Sequence, residues 1–194
     1  NIIPHSNTNF IIKGYFQSPK YFESNYQYII NLIDLDKQKA EIKEKYEEYF
    51  TNKIISLHFR IGDYIKKPDY HEILNSEYYI SAIKNVLEKD NSCDTILYFN
   101  EEQDNYTVKN MINNIKNLYP QLKLIQCSYD IPDWEQLLLM SLCNHNIIAN
   151  STFSWWGAYF NQNPEKIVCY PNVWFGSECK NSTQDLFPEN WVKI

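Results

Sequence analysis

The sequence lacks long hydrophobic runs and an excess of basic residues. No apolar segment approaches the roughly 20 residues that a membrane-spanning helix needs. Of the 194 residues, 18 are Lys or Arg and 24 are Asp or Glu, which gives a formal net charge of −6. Proteins that bind nucleic acid non-specifically carry a basic footprint. The sequence therefore predicts neither a membrane span nor a nucleic-acid partner.

The sequence also lacks paired cysteine motifs. Its five cysteines form no Cys-x-x-Cys pair and no zinc-ligand spacing, and we interpret Cys143, His145 and Cys169 as packing residues. Free thiols in a reducing compartment explain this cysteine usage most simply. Because no signal or membrane segment is present, we expect a cytoplasmic protein. The sequence leaves peripheral membrane association and oligomeric state open.

Apolar residues make up 44% of the chain and aromatic residues 16%, which predicts a globular protein. Strand and helix patterns alternate along most of it. This order predicts an α/β fold, a Rossmann-like parallel sheet with helices on both faces. The predicted strands are 54–58, 95–99, 122–127, 147–149 and 166–170, and the predicted helices are 37–50, 76–89, 104–118 and 133–143, with one more after residue 151.

One stretch, IIANSTFSWWGA, joins an apolar strand to a helix through small polar residues. Either Ser151 or Thr152 can cap that helix. The free N–H groups and the dipole of a helix N-terminus favour an anion such as phosphate. The alternative is an ordinary strand-to-helix turn with a good cap, and we expect the two tryptophans in the core. The candidate ligand-binding residues of this turn are Asn150, Ser151, Thr152, Phe153 and Ser154, and Phe153 is equally suited to the core.

A second polar segment follows the predicted strand 54–58. Arg60 is the strongest candidate here, because a guanidinium fits phosphate oxygens and stabilises a departing diphosphate. The alternative is a salt bridge between Arg60 and Asp63 or another carboxylate. Asp63 either orients Arg60 or acts as a catalytic base. His58 ends the strand and is a candidate to bind a base, a sugar or a phosphate.

Two carboxylates, Asp133 and Glu135, lie at the start of a predicted helix. Negative charge is favoured there by the helix dipole, so capping is one interpretation. A carboxylate is also suited to accept from the N–H edge of a guanine. The triplet Asp34-Leu35-Asp36 has the form of the Asp-x-Asp metal site of some sugar transferases, but its charged helical context predicts a solvated helix start. We expect no metal site.

Two segments together resemble the α-1,2-fucosyltransferase family, glycosyltransferase family 11. Members carry a His-x-Arg-Arg-Gly-Asp-Tyr-like segment, to which His58–Tyr64 is similar. They also carry a segment like HNIIANSSFSWWGA, to which His145–Ala158 is nearly identical. Flanking segments are similar too, so the resemblance spans nearly the whole chain; these are 14–22, 171–175 and 185–191.

The resemblance implies inverting, metal-independent transfer of fucose from GDP-fucose to a hydroxyl of an acceptor glycan, with no further cofactor. It implies a two-lobed enzyme of the GT-B type, of which this chain is the donor-binding C-terminal half. It places Arg60 on the donor phosphates, His58 near the nucleotide and Ser151–Ser154 against the donor. The expected partners are therefore a nucleotide-sugar and a glycan.

The chain departs from the family pattern in three places. Ile61 stands where the motif has its second arginine. Gln136 stands where relatives often have an acidic residue, a role that Asp133 or Glu135 can take over. The Gly-Gly-Leu-Gly-Asn-Gln-like segment of the family's N-terminal lobe is absent, and the chain begins at Asn1 without a methionine. We therefore expect residues 1–52 to be a remnant of that lobe or a linker to it, and 53–194 to be the GDP-sugar-binding domain.

Three functions remain open at this point. The first is fucosyl transfer, or the donor-binding part of an enzyme that performs it. The second is transfer of another sugar from a GDP donor. The third is a non-catalytic nucleotide-sugar-binding domain, which the missing N-terminal segment makes plausible.

Overall fold

The computed structural model describes residues 18–194. Within them, six parallel strands form one sheet in the order β3-β2-β1-β4-β5-β6. This is the strand order of a doubly wound Rossmann sheet, and it confirms the predicted α/β fold. The strands are β1 Ile54–His58, β2 Thr95–Phe99, β3 Lys123–Gln126, β4 His145–Ile147, β5 Val168–Tyr170 and β6 Val192–Lys193.

Helices cover both faces of the sheet, as a parallel sheet requires. The helices are α1 Tyr26–Leu32, α2 Leu35–Lys45, α3 Ser76–Lys89, α4 Asn105–Leu118, α5 Asp133–Leu142 and α6 Thr152–Tyr159. The apolar sides of α3 and α4 pack on one face. Those of α1, α2 and α5 pack on the other. Trp155 of α6 is buried among C-terminal residues that include Trp174 and Trp191, so the first tryptophan of the pair belongs to the core as predicted.

Alternation along β1 decides which face each of its side chains meets. Ile55 and Leu57 join the core under α3 and α4, whereas Ile54 joins the core under α5. Successive side chains of a strand point to opposite faces, so His58 shares the face of Ile54. Its ring accordingly lies 5.6 Å from that of Phe153 in α6.

Several predicted boundaries are wrong. Strand β4 is His145–Ile147, two residues earlier than expected, because pairing with β1 starts at His145. The predicted helix 37–50 is interrupted at Tyr46, whose backbone angles are not helical, and a single 3₁₀ turn follows. Asn75 rather than Ser76 caps α3, accepting from the N–H of Tyr78 over 3.2 Å. Helix α1 and strand β6 were not predicted.

The first part of the chain contributes to this same core. Ile30 of α1 and both Leu35 and Ile42 of α2 are buried against the α5 side of the sheet. Residues 14–17 of the flanking segment 14–22 lie outside the described residues. The boundary at residue 52 stays a prediction. Among the described residues, no helix is both long and apolar enough to cross a bilayer.

Candidate functional site

Strand order changes direction between β1 and β4, which are neighbours although α3, β2, α4, β3 and α5 separate them in sequence. In sheets of this kind ligands bind in the crevice beyond the carboxyl ends of the strands at that point. The two segments singled out in the sequence begin there. The first segment starts at His58, the last residue of β1, and continues through 59–64; residues 150–154 follow β4.

The loop after β1 is fixed by its backbone. Phe59 N–H donates to the carbonyl of Phe99 over 2.9 Å and so extends the pairing of β1 with β2. Ile61 is buried in the core, so apolar packing holds the loop where the family motif has its second arginine. Gly62 has a φ of +27°, and its N–H donates to Asp104 over 2.9 Å. A Cβ at Gly62 would lie 3.1 Å from a carboxylate oxygen of Glu101, so glycine suits this position on both grounds.

Arg60 is held by two carboxylates. Its guanidinium lies 2.6 Å from Asp63 Oδ1 and donates a second hydrogen bond to Glu101. It also lies 5.2 Å from the centre of the Tyr64 ring. The salt bridge considered from the sequence is therefore present. Because 29% of the Arg60 side chain remains exposed, the same group is open to a ligand.

Arg60 borders a crevice of about 410 Å³ at the carboxyl ends of β1 and β2. Of the residues predicted for the site, this crevice brings together His58, Arg60, Asp133 and Phe153. The sequence analysis assigned no role in the site to the others. The complete lining is His58, Arg60, Phe99, Asn100, Glu101, Glu102, Tyr129, Asp133, Gln136 and Phe153.

His58 is a neutral group in this crevice. It is 7% exposed, and burial, together with the charge of Arg60, lowers its pKa to about 3. Its Nδ1 has no hydrogen-bond partner among the described residues. A neutral imidazole can donate or accept at this atom according to its tautomer, so His58 can bind a polar ligand group without adding charge.

Helix α6 begins at the crevice with open amides. Ser151 occupies the cap position, but its side chain makes no capping hydrogen bond, contrary to the prediction that Ser151 or Thr152 caps the helix. The first N–H groups of an α-helix have no partner within the helix. Ser154 was predicted to contact the donor, but its buried hydroxyl donates to the carbonyl of Ser151 over 3.3 Å. The α6 amides are therefore the groups available to an anion. The side chain of Thr152 is exposed and that of Phe153 is half-buried.

The carboxyl end of α6 is anchored by two lysines. Lys39 Nζ donates to the carbonyl of Phe160 over 2.9 Å, and Lys166 Nζ donates to that of Ala158 over 2.9 Å. Burial lowers the pKa of each lysine to about 8. Cations are favoured at the carboxyl end of a helix, so these contacts fix α6 from the end opposite the crevice.

Glu135 lies outside the crevice. Its carboxylate is 6% exposed, forms a 2.8 Å ion pair with Lys45 and accepts from Tyr46. Its oxygens already bind Lys45 of α2 and Tyr46 after it, so the structure does not bring Glu135 together with the other candidate donor-binding residues, and its contact with the donor stays a prediction. Asp133, two residues earlier in α5, lines the crevice instead, as does Gln136.

Glu101 is a site residue that sequence reasoning missed. It follows β2 at the same sheet edge as Arg60, and Asn100 beside it donates to Asn105 and accepts from Gln126. The signal for this position was available, because polar residues that follow neighbouring parallel strands meet at one edge. The sequence prediction used that argument for β1 and β4 only.

One further cluster has the composition of a metal site: Asp90, Cys93 and His145, whose ligand atoms all lie within 4.8 Å of one another. Its hydrogen bonds argue against one. Ile167 N–H donates to His145 Nδ1 over 3.0 Å, so Nε2 carries the proton of the neutral ring and faces Asp90 at 3.1 Å. Lys53 lies 3.0 Å from the same carboxylate. A metal on Nε2 would have to displace that proton next to an ammonium group.

Comparison with known proteins agrees with this architecture. The chain is 32% identical over 191 residues to an O-antigen biosynthesis glycosyltransferase, WbnK, of Escherichia coli, covering 93% of this chain and 59% of that protein. It is 29% identical over 184 residues to an alpha-1,2-colitosyltransferase of Escherichia coli, covering 93% of this chain and 61% of that one. The chain thus spans about three fifths of the length of these relatives.

A solved structure, the family 9 glycosyl transferase of Veillonella parvula, matches with a TM-score of 0.50 at 11% identity. The match covers 81% of this chain and 40% of that one, and at this identity it shows the fold alone. The sequence model of glycosyl transferase family 11 matches residues 2–194. With both predicted motifs meeting at the switch point of the sheet, the chain belongs to glycosyl transferase family 11.

Proposed function

We propose that the chain binds GDP-fucose as the donor-binding part of an inverting glycosyltransferase that transfers fucose to a hydroxyl of an acceptor glycan. The observation that carries the proposal is the arrangement around one crevice: Arg60 and Asp133 line it together with Phe153 in the first turn of α6. This crevice brings together a fixed cation, open amides and a carboxylate, which are the groups that bind a guanosine diphosphate.

Each group has a role in the proposed transfer. The acceptor oxygen attacks the anomeric carbon from the face opposite the leaving group, and the bond to the diphosphate oxygen breaks with its electron pair. The charge that develops on the departing GDP is stabilised by Arg60 and the α6 amides. The acceptor proton passes to a base. Asp63 is a weaker candidate for that base than for orienting Arg60, because its carboxylate contacts the guanidinium directly.

Asp133 is the residue that we propose to select guanine over uracil. A carboxylate can accept two hydrogen bonds from the N1–H and amino group of guanine, and uracil offers no such pair. We expect Asp133→Asn to weaken GDP binding by about tenfold and to reduce the preference for GDP over UDP. Glu102→Gln is the matched control, because it removes a neighbouring charge of the same crevice.

Calorimetric titration with GDP-fucose, GDP and UDP tests the donor site. We expect selective binding of the guanine nucleotides, which Arg60→Ala weakens by about tenfold or more, the scale of a charge-assisted hydrogen bond. Lys109→Ala removes an exposed cation from α4 and should leave binding unchanged. If the folded chain binds neither GDP nor GDP-fucose, the proposal fails for this chain.

Transfer is proposed to need no divalent metal, because Arg60 and the α6 amides supply positive charge for the diphosphate. Excess EDTA should therefore leave the rate of fucosyl transfer unchanged, and a loss restored by Mg²⁺ or Mn²⁺ would contradict this part of the proposal. The similarity to a colitosyltransferase makes another GDP-linked sugar the second candidate. Transfer assays that compare GDP-fucose with GDP-colitose decide between the two donors.

A further inference from the structure

A second cavity, of about 670 Å³, lies on the other side of the first turn of α6. Thr152 lines this cavity, whereas the next residue, Phe153, lines the crevice that contains Arg60. Its other walls come from the loop before α3 and from the segment after β5. The lining is Tyr64, Lys67, Tyr70, His71, Asn150, Thr152, Trp174, Phe175, Cys179 and Asn181, and none of these residues is acidic.

Backbone hydrogen bonds join the two walls. Gly176 N–H donates to the carbonyl of Tyr70 over 2.8 Å, and Glu178 N–H donates to that of Asp69 over 2.9 Å. On the inner side, Tyr64 and His71 stack with their rings 4.1 Å apart. The cavity is therefore a built structure of aromatic side chains on a braced loop, rather than a gap between mobile surfaces.

Asn150 is the buried polar residue in the lining of this cavity. Its amide donates to the carbonyl of Glu72 over 2.8 Å and to that of Trp174 over 3.3 Å. Its Oδ1 has no partner among the described residues, and the residue is 2% exposed. An unpaired buried acceptor is unfavourable, and it can be satisfied only by a donor. The diphosphate of a nucleotide-sugar is fully ionised at neutral pH and has no donor, whereas a sugar hydroxyl has one.

We propose that this cavity holds the neutral sugar ring of the donor, with a ring hydroxyl donating to Asn150 Oδ1. The inference rests on the proposed function, because it takes the Arg60 crevice as the nucleoside side. The diphosphate then crosses the first turn of α6 between Phe153 and Thr152. Aromatic walls with a few placed polar groups are typical of small-ligand pockets of 300–1,000 Å³.

The test is the ratio of two dissociation constants, for GDP and for GDP-fucose, measured calorimetrically on the same variants. Tyr70 is 53% exposed, so Tyr70→Ala should leave the fold intact. We expect the variant to raise the dissociation constant for GDP-fucose about fivefold, the scale of one aromatic contact. The dissociation constant for GDP should stay within about twofold of the wild-type value. Thr152→Val, which removes a hydroxyl at nearly constant volume, should change the ratio in the same direction. Asp133→Asn is the matched control, and it should weaken the binding of both ligands by the same factor.

The outcomes separate this inference from the proposed function. If the wild-type chain binds GDP and neither Tyr70→Ala nor Thr152→Val changes the ratio, the cavity is not the sugar subsite. If the two variants weaken the binding of GDP as much as the binding of GDP-fucose, the cavity holds the nucleotide and its assignment as the sugar subsite is wrong. If the wild-type chain binds neither ligand, the proposed function itself fails.

Discussion

Tyr64 Oη donates a hydrogen bond to the carbonyl oxygen of Asn150 over 2.9 Å. The bond joins the loop after β1 to the loop after β4, the two segments that diverge from the switch point of the sheet. Tyr64 also lies beneath the Arg60 guanidinium. One side chain therefore sets the separation of the two sides of the crevice and supports its main cation.

Tyr64→Phe tests this connection. The variant keeps the ring and loses the hydroxyl, so we expect a loss of about 1 kcal/mol in the free energy of unfolding and a severalfold weaker affinity for GDP. Tyr106→Phe is the control, because Tyr106 is 83% exposed. Denaturant unfolding and calorimetry measure the two effects. Unchanged GDP affinity would show that the crevice keeps its shape without this bond.

Gly176→Ala should open the wall of the second cavity. A Cβ at this position would lie 2.4 Å from the carbonyl oxygen of Asp69, which is backbone and cannot rotate away. The loop carrying Tyr70 must therefore move, and we expect GDP-fucose binding to weaken more than GDP binding. We also expect a stability loss of about 1–3 kcal/mol. Ser177→Ala, at the adjacent exposed position, should have neither effect.

The Glu135–Lys45 contact makes stability depend on pH. The hydrogen bond from Lys45, and then that from Tyr46, lower the pKa of Glu135 from its ordinary value of 4.5. A group with a lowered folded-state pKa contributes stability above its unfolded-state pKa and loses it as pH falls through the folded-state pKa. Glu135→Gln should therefore cost about 1–2 kcal/mol at pH 7, and the difference from wild type should shrink below pH 4.5.

Chemical denaturation at several pH values measures this difference. Glu44→Gln is the control, because Glu44 is an exposed carboxylate next to Lys45 in α2. Equal losses at pH 7 and pH 3.5 would contradict the electrostatic explanation, since they would show that Glu135 stabilises the fold through packing alone.

His58 should remain neutral throughout the physiological range, because its pKa is lowered to about 3 by burial and by Arg60. Its ring C–H resonance in NMR spectra, assigned with His58→Gln, should not shift between pH 5 and pH 8. The unfolded chain binds a proton near pH 6.5 that the folded chain does not. The stability contribution of neutral His58 is therefore complete above that pH and declines as pH falls. A midpoint near pH 6.5 in the folded protein would contradict the burial argument.

The sequence predicted the sheet well because its strands are short, apolar and followed by polar residues. Strand β1 was placed to the residue, since the mostly apolar run 54–57 ends at His58. Strand β4 was misplaced, because its first two residues are His145 and Asn146, whose polar side chains are buried by tertiary contacts. Asn146 donates to Ser56 over 2.7 Å and to the carbonyl of Met140 over 2.8 Å, and local hydrophobicity carries no sign of these bonds.

The candidate site was predicted where the chemistry of the side chain alone indicates a role, as for the guanidinium of Arg60. The site was not predicted where the role of a residue depends on which other side chain it contacts. Asp133 and Glu135 are two residues apart at the start of α5, yet one lines the crevice and the other binds Lys45. The difference arises because α2 packs next to Glu135. This is a long-range contact, and the residues adjacent to the two carboxylates in the sequence do not predict it.

The two lysines at the carboxyl end of α6 have a consequence for the energetics of ligand binding. A helix of eight residues would fray in isolation, and ordering its first turn on a ligand would reduce affinity by the conformational entropy of that turn. Here Lys39, Lys166 and the buried Trp155 fix the helix before any ligand arrives. The open amides are therefore preorganised, and the cost of ordering them falls on folding rather than on binding.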